Sequence, residues 1–72
     1  MHARFYHPTG IATGEIVELS TDNKHHAVRV LRLKKGDAIT LFNGFGGEYS
    51  AHIETIGKSR TTAIIEAFHD IE

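Results

Sequence analysis

No cysteine occurs in the 72 residues, so neither a disulfide nor a thiolate–metal staple can hold this chain together. A chain this short buries only about 60% of the surface its unfolded form exposes, so its stability must come from a thin apolar core. Long hydrophobic runs are also missing. Stretches such as Ala63-Ile64-Ile65 fall far short of the ~20 residues a membrane-spanning helix needs. The opening Met-His-Ala-Arg-Phe-Tyr lacks the charged and then apolar stretch of a signal peptide. These absences lead us to expect a soluble, cytoplasmic protein without a membrane partner. A strong net charge is lacking too: the formal balance is −1. General electrostatic attraction is thereby excluded, and any binding by charge must rest on where the charges are placed.

They are placed unevenly. The segment Lys24-His25-His26-Ala27-Val28-Arg29-Val30-Leu31-Arg32-Leu33-Lys34-Lys35 holds Lys24, Arg29, Arg32, Lys34 and Lys35, five of the eight lysines and arginines, and no acid. A local basic face on a near-neutral domain points to a polyanion, most commonly RNA or DNA. The bland alternative is a solvated helix face with no ligand.

Around this segment the chain reads as short strands. Ala3–Tyr6 is aromatic and ends at Pro8, which cannot donate to a ladder, so it suits an edge strand. Glu15–Leu19 is β-branched and follows Gly14. Ser20 or Thr21 can cap a helix over Asp22–Leu31, with Asp22 in the first turn where the dipole favours an anion. Helical spacing predicts Ala27, Val30 and Leu31 on the core side. It also brings His25, Arg29 and Arg32 onto one stripe, provided the helix reaches Arg32. Gly36-Asp37 marks a turn, Ala38–Phe42 a strand, and Asn43–Gly47 a glycine-rich hairpin loop. Tyr49, Ala51 and Ile53 alternate with polar residues over Glu48–Glu54, the period of a half-buried strand. Gly57-Lys58-Ser59 is a second turn, and Arg60–Phe68 a last strand. The expected architecture is mainly β with one short helix, closed as a small antiparallel or mixed β-barrel. His69-Asp70-Ile71-Glu72 reads as the start of a linker.

Several enzyme-like signals fail. Gly57-Lys58-Ser59 imitates the end of a phosphate-binding loop. His52 stands where that motif needs glycine, however, and a β-type sequence follows instead of a helix, leaving a plain hairpin turn. Gly44, Gly46 and Gly47 lack the βαβ surroundings of a dinucleotide fingerprint. Of the six histidines, no pair is spaced four apart, and the adjacent His25 and His26 point about 100° apart on a helix. No metal site is therefore predicted. Glu15 and Glu18 would face opposite sides of a strand, and no nucleophile elbow or catalytic triad is present. No catalytic residue is predicted.

The stretch His25-His26-Ala27-Val28-Arg29-Val30-Leu31-Arg32-Leu33-Lys34-Lys35-Gly36-Asp37, with Leu41-Phe42-Asn43-Gly44, closely resembles one family. So do the opening Arg4-Phe5-Tyr6 and Gly47-Glu48-Tyr49. The chain is similar over essentially its whole length to the N-terminal domain of the bacterial 16S ribosomal RNA uridine-N3 methyltransferases. Lys35 stands where that family often has proline, and Asn43 where it often has aspartate; either residue fits a turn. The resemblance implies one PUA-like RNA-binding β-barrel over residues 1–72. It also implies a separate C-terminal domain of the SPOUT type, absent here, which carries a trefoil knot, binds S-adenosylmethionine, forms a homodimer and catalyses. This piece would then hold no cofactor of its own. The longer protein would methylate N3 of a uridine in the 16S rRNA of the small ribosomal subunit.

Under this reading Arg29, Arg32, Lys34 and Lys35, with His25 and Arg4 as neighbours, contact RNA phosphates. Arginine offers a fork of donors and lysine a mobile point charge. Phosphate contacts orient, whereas stacking supplies discrimination. Phe5 and Phe45, with Tyr6, are the aromatics that can stack on bases, and the plainer alternative for Phe5 and Tyr6 is core packing. Two rival readings remain: a protein-docking β-barrel, and a stand-alone translation-associated RNA binder.

Overall fold

The structure is a computed structural model that describes residues 3–8 and 10–70. Ile71 and Glu72, read above as part of a linker, lie outside the described residues, as does His2. The elements are β1 (Ala3–Tyr6), β2 (Ile16–Glu18), α1 (Thr21–His25), a π-helical turn (His26–Val30), β3 (Ala38–Phe42), β4 (Glu48–Ile56) and β5 (Thr61–His69). Among the described residues the five strands form one sheet in the order β1-β3-β4-β5-β2. β1 runs parallel to β3, and every other pairing is antiparallel.

Strand alternation builds the core. Ile39 and Leu41 of β3, Ala51 and Ile53 of β4, and Ala63 and Ile65 of β5 share the inner face with Phe5, Val17 and Leu19. Ala27 is the helical contribution, and Tyr49 packs against the margin. Ala51 pairs with both Ile39 and Ile65, and Ile53 with Ala63, so the central strands present one continuous apolar layer. Turn chemistry sets the register. Asp37 N–H donates to the Lys34 carbonyl (2.9 Å), and Gly36 takes φ +92° at the third turn position, where glycine carries no steric cost. Lys35 is the second residue of that turn, a position that proline favours but does not require. Asn43 Oδ1 accepts from Phe45 N–H (2.9 Å), an Asx turn that aspartate would form equally well.

The mainly β fold with one short helix agrees with the sequence reading, and β1 is an edge strand as expected. The barrel does not close, however: β1 and β2 are the two edges of an open sheet. β2 contributes only three residues to its ladder and, among the described residues, pairs with β5 alone. The helix occupies the junction instead. Asn23 Nδ2 donates to the Tyr6 carbonyl at the end of β1 (2.7 Å), His26 sets its ring edge-on to Phe5 (6.0 Å between centroids), and Lys24 Nζ donates to the Ser59 carbonyl (3.0 Å).

Candidate nucleic-acid interface

Ser20 starts the helix: its Oγ accepts from Asn23 N–H at 3.1 Å, and Asp22 lies in the first turn. The ladder then widens. Leu31 N–H donates to the carbonyl of His26, five residues back, at 2.9 Å. Arg32 follows with φ +55°, the one non-glycine at positive φ among the described residues. Leu33 N–H closes onto the Ala27 carbonyl at 2.9 Å. This resembles a Schellman closure lengthened by one residue to match the wide turn, with arginine at the left-handed position that glycine usually takes.

The π turn changes which faces meet the core. An added residue per turn rotates everything after it, so the α-helical spacing that put Val30 and Leu31 beside Ala27 no longer holds. Ala27 is fully buried, but Val30 is 57% exposed and Leu31 40%, which corrects the expectation that both pack inside. The predicted basic stripe does form, by another route. The helix stops before Arg32, and the left-handed turn brings Arg32 back to the cleft that His25 and Arg29 line.

This cleft is an open trough of ≈740 Å³ between the helix and the β4–β5 turn. Lys24, His25, Arg29 and Arg32 line it from the helical side and Lys58 from the turn, with no carboxylate in its lining. Among the described residues, none of these side chains forms an ion pair with an acid. Arg29, Arg32 and Lys58 are exposed, and their charges face water.

The other sequence-predicted contacts are not gathered here. Arg4 lies on β1, with its guanidinium 4.5 Å above the Phe42 ring and Nε 3.6 Å from Glu48 Oε2, so a carboxylate already balances it. Lys34 and Lys35 are exposed on the turn into β3, and neither lines the cleft. Phe5 is 3% exposed and belongs to the core, so it offers no stacking surface. Tyr6 is exposed and leans on Phe42 (5.6 Å between centroids). Phe45 stands 85% exposed on the glycine loop, free of core duty. Lys58 was missed. Its only signal was the imperfect phosphate-loop pattern, and nothing local tells that the hairpin folds against the helix.

Among the described residues, two groups outside the trough have shifted titration. Burial pushes the His7 imidazole down from its ordinary value. The hydroxyls of Thr55 and Thr62, donating to Glu54 Oε1 at 2.8 and 3.0 Å, hold that carboxyl below the usual range. Among the described residues, no three His, Cys, Asp or Glu side chains cluster as metal ligands, and no helix is long and apolar enough to cross a membrane.

The fold and the trough define a small open-sheet domain with a cationic, acid-free face of the kind that suits a polyanion. Residues 19–66 match the RNA methyltransferase PUA domain, and the chain belongs to that family. Over 57 residues, 78% of this chain, it is 44% identical to ribosomal RNA small subunit methyltransferase E of Rickettsia conorii. The crystal structure of a ribosomal RNA small subunit methyltransferase E from Neisseria gonorrhoeae, bound to S-adenosylmethionine, superposes over the whole chain with a TM-score of 0.90 at 30% identity. A protein of Legionella pneumophila described as a methyltransferase, also solved with that cofactor, does so with a TM-score of 0.94 at 32% identity. The chain spans 23% of the Rickettsia protein, 29% of the Neisseria protein and 30% of the Legionella protein.

Proposed function

We propose that this chain is the RNA-recognition domain of a longer S-adenosylmethionine-dependent methyltransferase. Its target would be the 16S rRNA of the small ribosomal subunit, and the methyl group would go to N3 of a uridine. One observation carries the reading: cations from the helix and from the β4–β5 turn share one trough with no acid in its lining. Arg29 and Arg32 supply the planar donors for phosphate oxygens, Lys58 adds point charge, His25 offers a ring nitrogen, and Lys34 and Lys35 extend the field beyond the trough. Phe45 provides an exposed face on which a base can stack. The relatives named above support the methyltransferase part of the proposal.

The trough is a poor fit for the cofactor itself. A sulfonium is repelled by a cationic wall, and no carboxylate lines the trough to receive ribose hydroxyls. No methyl-transfer step is therefore assigned to these residues. A separate domain of the longer, cytoplasmic protein would hold S-adenosylmethionine and make the dimer contacts.

The test is RNA binding by the Arg29→Ala/Arg32→Ala double variant. Binding should be lost with the fold retained, because neither side chain has a hydrogen-bond or ion-pair partner among the described residues. Unchanged binding contradicts the reading. The base assignment is tested by incubating the longer protein with small-subunit rRNA and cofactor and analysing nucleosides by mass spectrometry. 3-Methyluridine is expected, and a different methylated nucleoside contradicts it.

A further inference from the structure

We propose that the β4–β5 turn is the second jaw of the RNA site. Lys58 then contacts phosphate from the side opposite Arg29 and Arg32, and the trough admits a single strand but excludes a duplex. This rests on the RNA-binding reading above and adds which form of RNA the site takes.

Three observations carry it. The first is shape. The trough has two walls from distant parts of the chain, the helix and the hairpin tip, and its volume of ≈740 Å³ accommodates a nucleotide or two. An A-form helix is far wider and can only touch the rim. A flat basic face would not discriminate; a walled one does.

The second is that the two walls are tied to each other. Lys24 Nζ donates to the Ser59 carbonyl at 3.0 Å, tying the helix to the turn across 35 residues of sequence. This bond makes Lys24 a positioning residue: its ammonium is engaged by the turn that Lys58 tips. Lys58 itself is exposed and has no ion-pair partner among the described residues. Glu54 lines a groove on the other side of the turn that Lys58 also borders, but its carboxylate is held by the hydroxyls of Thr55 and Thr62 and forms no ion pair with Lys58.

The third is the lining between the cations. Val28 comes from the helix and Ile56 from the end of β4, so each wall offers an apolar side chain to the face of a base. Thr61, at the start of β5, also lines the trough. It is 1% exposed, and its Oγ1 has no hydrogen-bond partner among the described residues. A buried hydroxyl left unpaired carries a cost, and its oxygen is closed to direct contact in the trough as it stands. Cationic and apolar side chains lining one trough match a nucleotide whose phosphates meet the cations and whose unstacked base meets Val28 and Ile56.

The experiment compares wild type, Lys58→Ala and Arg29→Ala/Arg32→Ala. Each is titrated with a labelled single-stranded RNA oligonucleotide and with the duplex of the same sequence, across a range of salt concentrations. Wild type should bind the single strand at least several-fold more tightly than the duplex. Lys58→Ala should weaken single-strand binding several-fold and reduce the log–log salt slope by about 0.7, the share of one phosphate. Circular dichroism should show its fold unchanged. Lys58→Ala with wild-type affinity and slope, beside a double variant that has lost binding, overturns the second jaw while leaving the RNA reading intact. Equal affinity for single strand and duplex likewise overturns it. If all three proteins bind alike, the RNA reading itself fails.

Discussion

Replacing Arg32 by glycine should make the protein more stable and worse at holding RNA. Arg32 sits at φ +55°, closing the π turn at a position where a side chain with a Cβ is strained. That conformation costs a non-glycine residue about 1–2 kcal/mol. Glycine's extra freedom in the unfolded chain offsets about 0.5–1 kcal/mol of the relief. The Arg32 side chain has no hydrogen-bond or ion-pair partner among the described residues, so removing it breaks no polar contact. The net expectation is a gain of about 0.5–1 kcal/mol, which raises the thermal midpoint by roughly 2–8 °C for a domain of this size. RNA affinity should fall at the same time, with the salt slope smaller by about 0.7. Arg32→Ala is the control: it removes the same charge but keeps the strained backbone, so it should bind like the glycine variant without the gain in stability. Differential scanning fluorimetry with fluorescence anisotropy reads both quantities. An Arg32→Gly protein that melts lower than wild type, or binds RNA with wild-type affinity and slope, refutes the argument that a functional cation is kept at a stability cost.

Phe45→Ala should leave stability within about 0.5 kcal/mol, because the ring touches no core, yet weaken single-strand binding by about 1–3 kcal/mol if a base stacks there. Unchanged affinity removes Phe45 from the interface. Gly47→Ala should destabilise by about 1–3 kcal/mol: at φ +71° its Cβ would lie 2.6 Å from the Phe68 ring and 2.7 Å from the His69 carbonyl oxygen. A thermal midpoint equal to wild type contradicts this. Acid should destabilise the fold in two stages. The His7 imidazole is held below its ordinary 6.5, so the unfolded chain takes up that proton first, and stability declines as the pH falls below about 6.5 toward the folded value. Glu54 is held below its ordinary 4.5, so its contribution is complete above that value and is lost as the pH falls through the folded one. A melting temperature that is flat or rising as the pH falls from 7 to 5 contradicts the His7 assignment, and one that shows no further decline below pH 4.5 contradicts the Glu54 assignment.

The features legible in the sequence are those decided by local chemistry. β3 was bounded correctly at Ala38–Phe42 because turn residues flank it on both sides and its apolar residues alternate. The core members Ala51 and Ile53 followed from the same period of two. β4 runs on to Ile56 because Thr55 and Ile56 pair with Thr62 and Thr61 across the β4–β5 hairpin, beyond the point where apolar and polar residues stop alternating. The open sheet escaped prediction because whether two edge strands meet is decided by the tertiary arrangement, not by the number of strands. Val30 and Leu31 were misplaced because the reading assumed 3.6 residues per turn where the chain makes a π turn. In the site, the cationic residues of the helix were visible as an acid-free run. Their separation from Arg4 was not, because the Glu48 that balances Arg4 comes from β4. Lys58 entered the trough only through the docking of the hairpin against the helix.

The most direct test of the account is the dependence of single-stranded RNA affinity on salt for the unmodified 72-residue chain. Engagement of about three to five phosphates predicts a straight log–log plot with a slope of roughly −2 to −3.5. An affinity that does not change with salt would contradict the claim that the cations around the trough hold RNA by its phosphates.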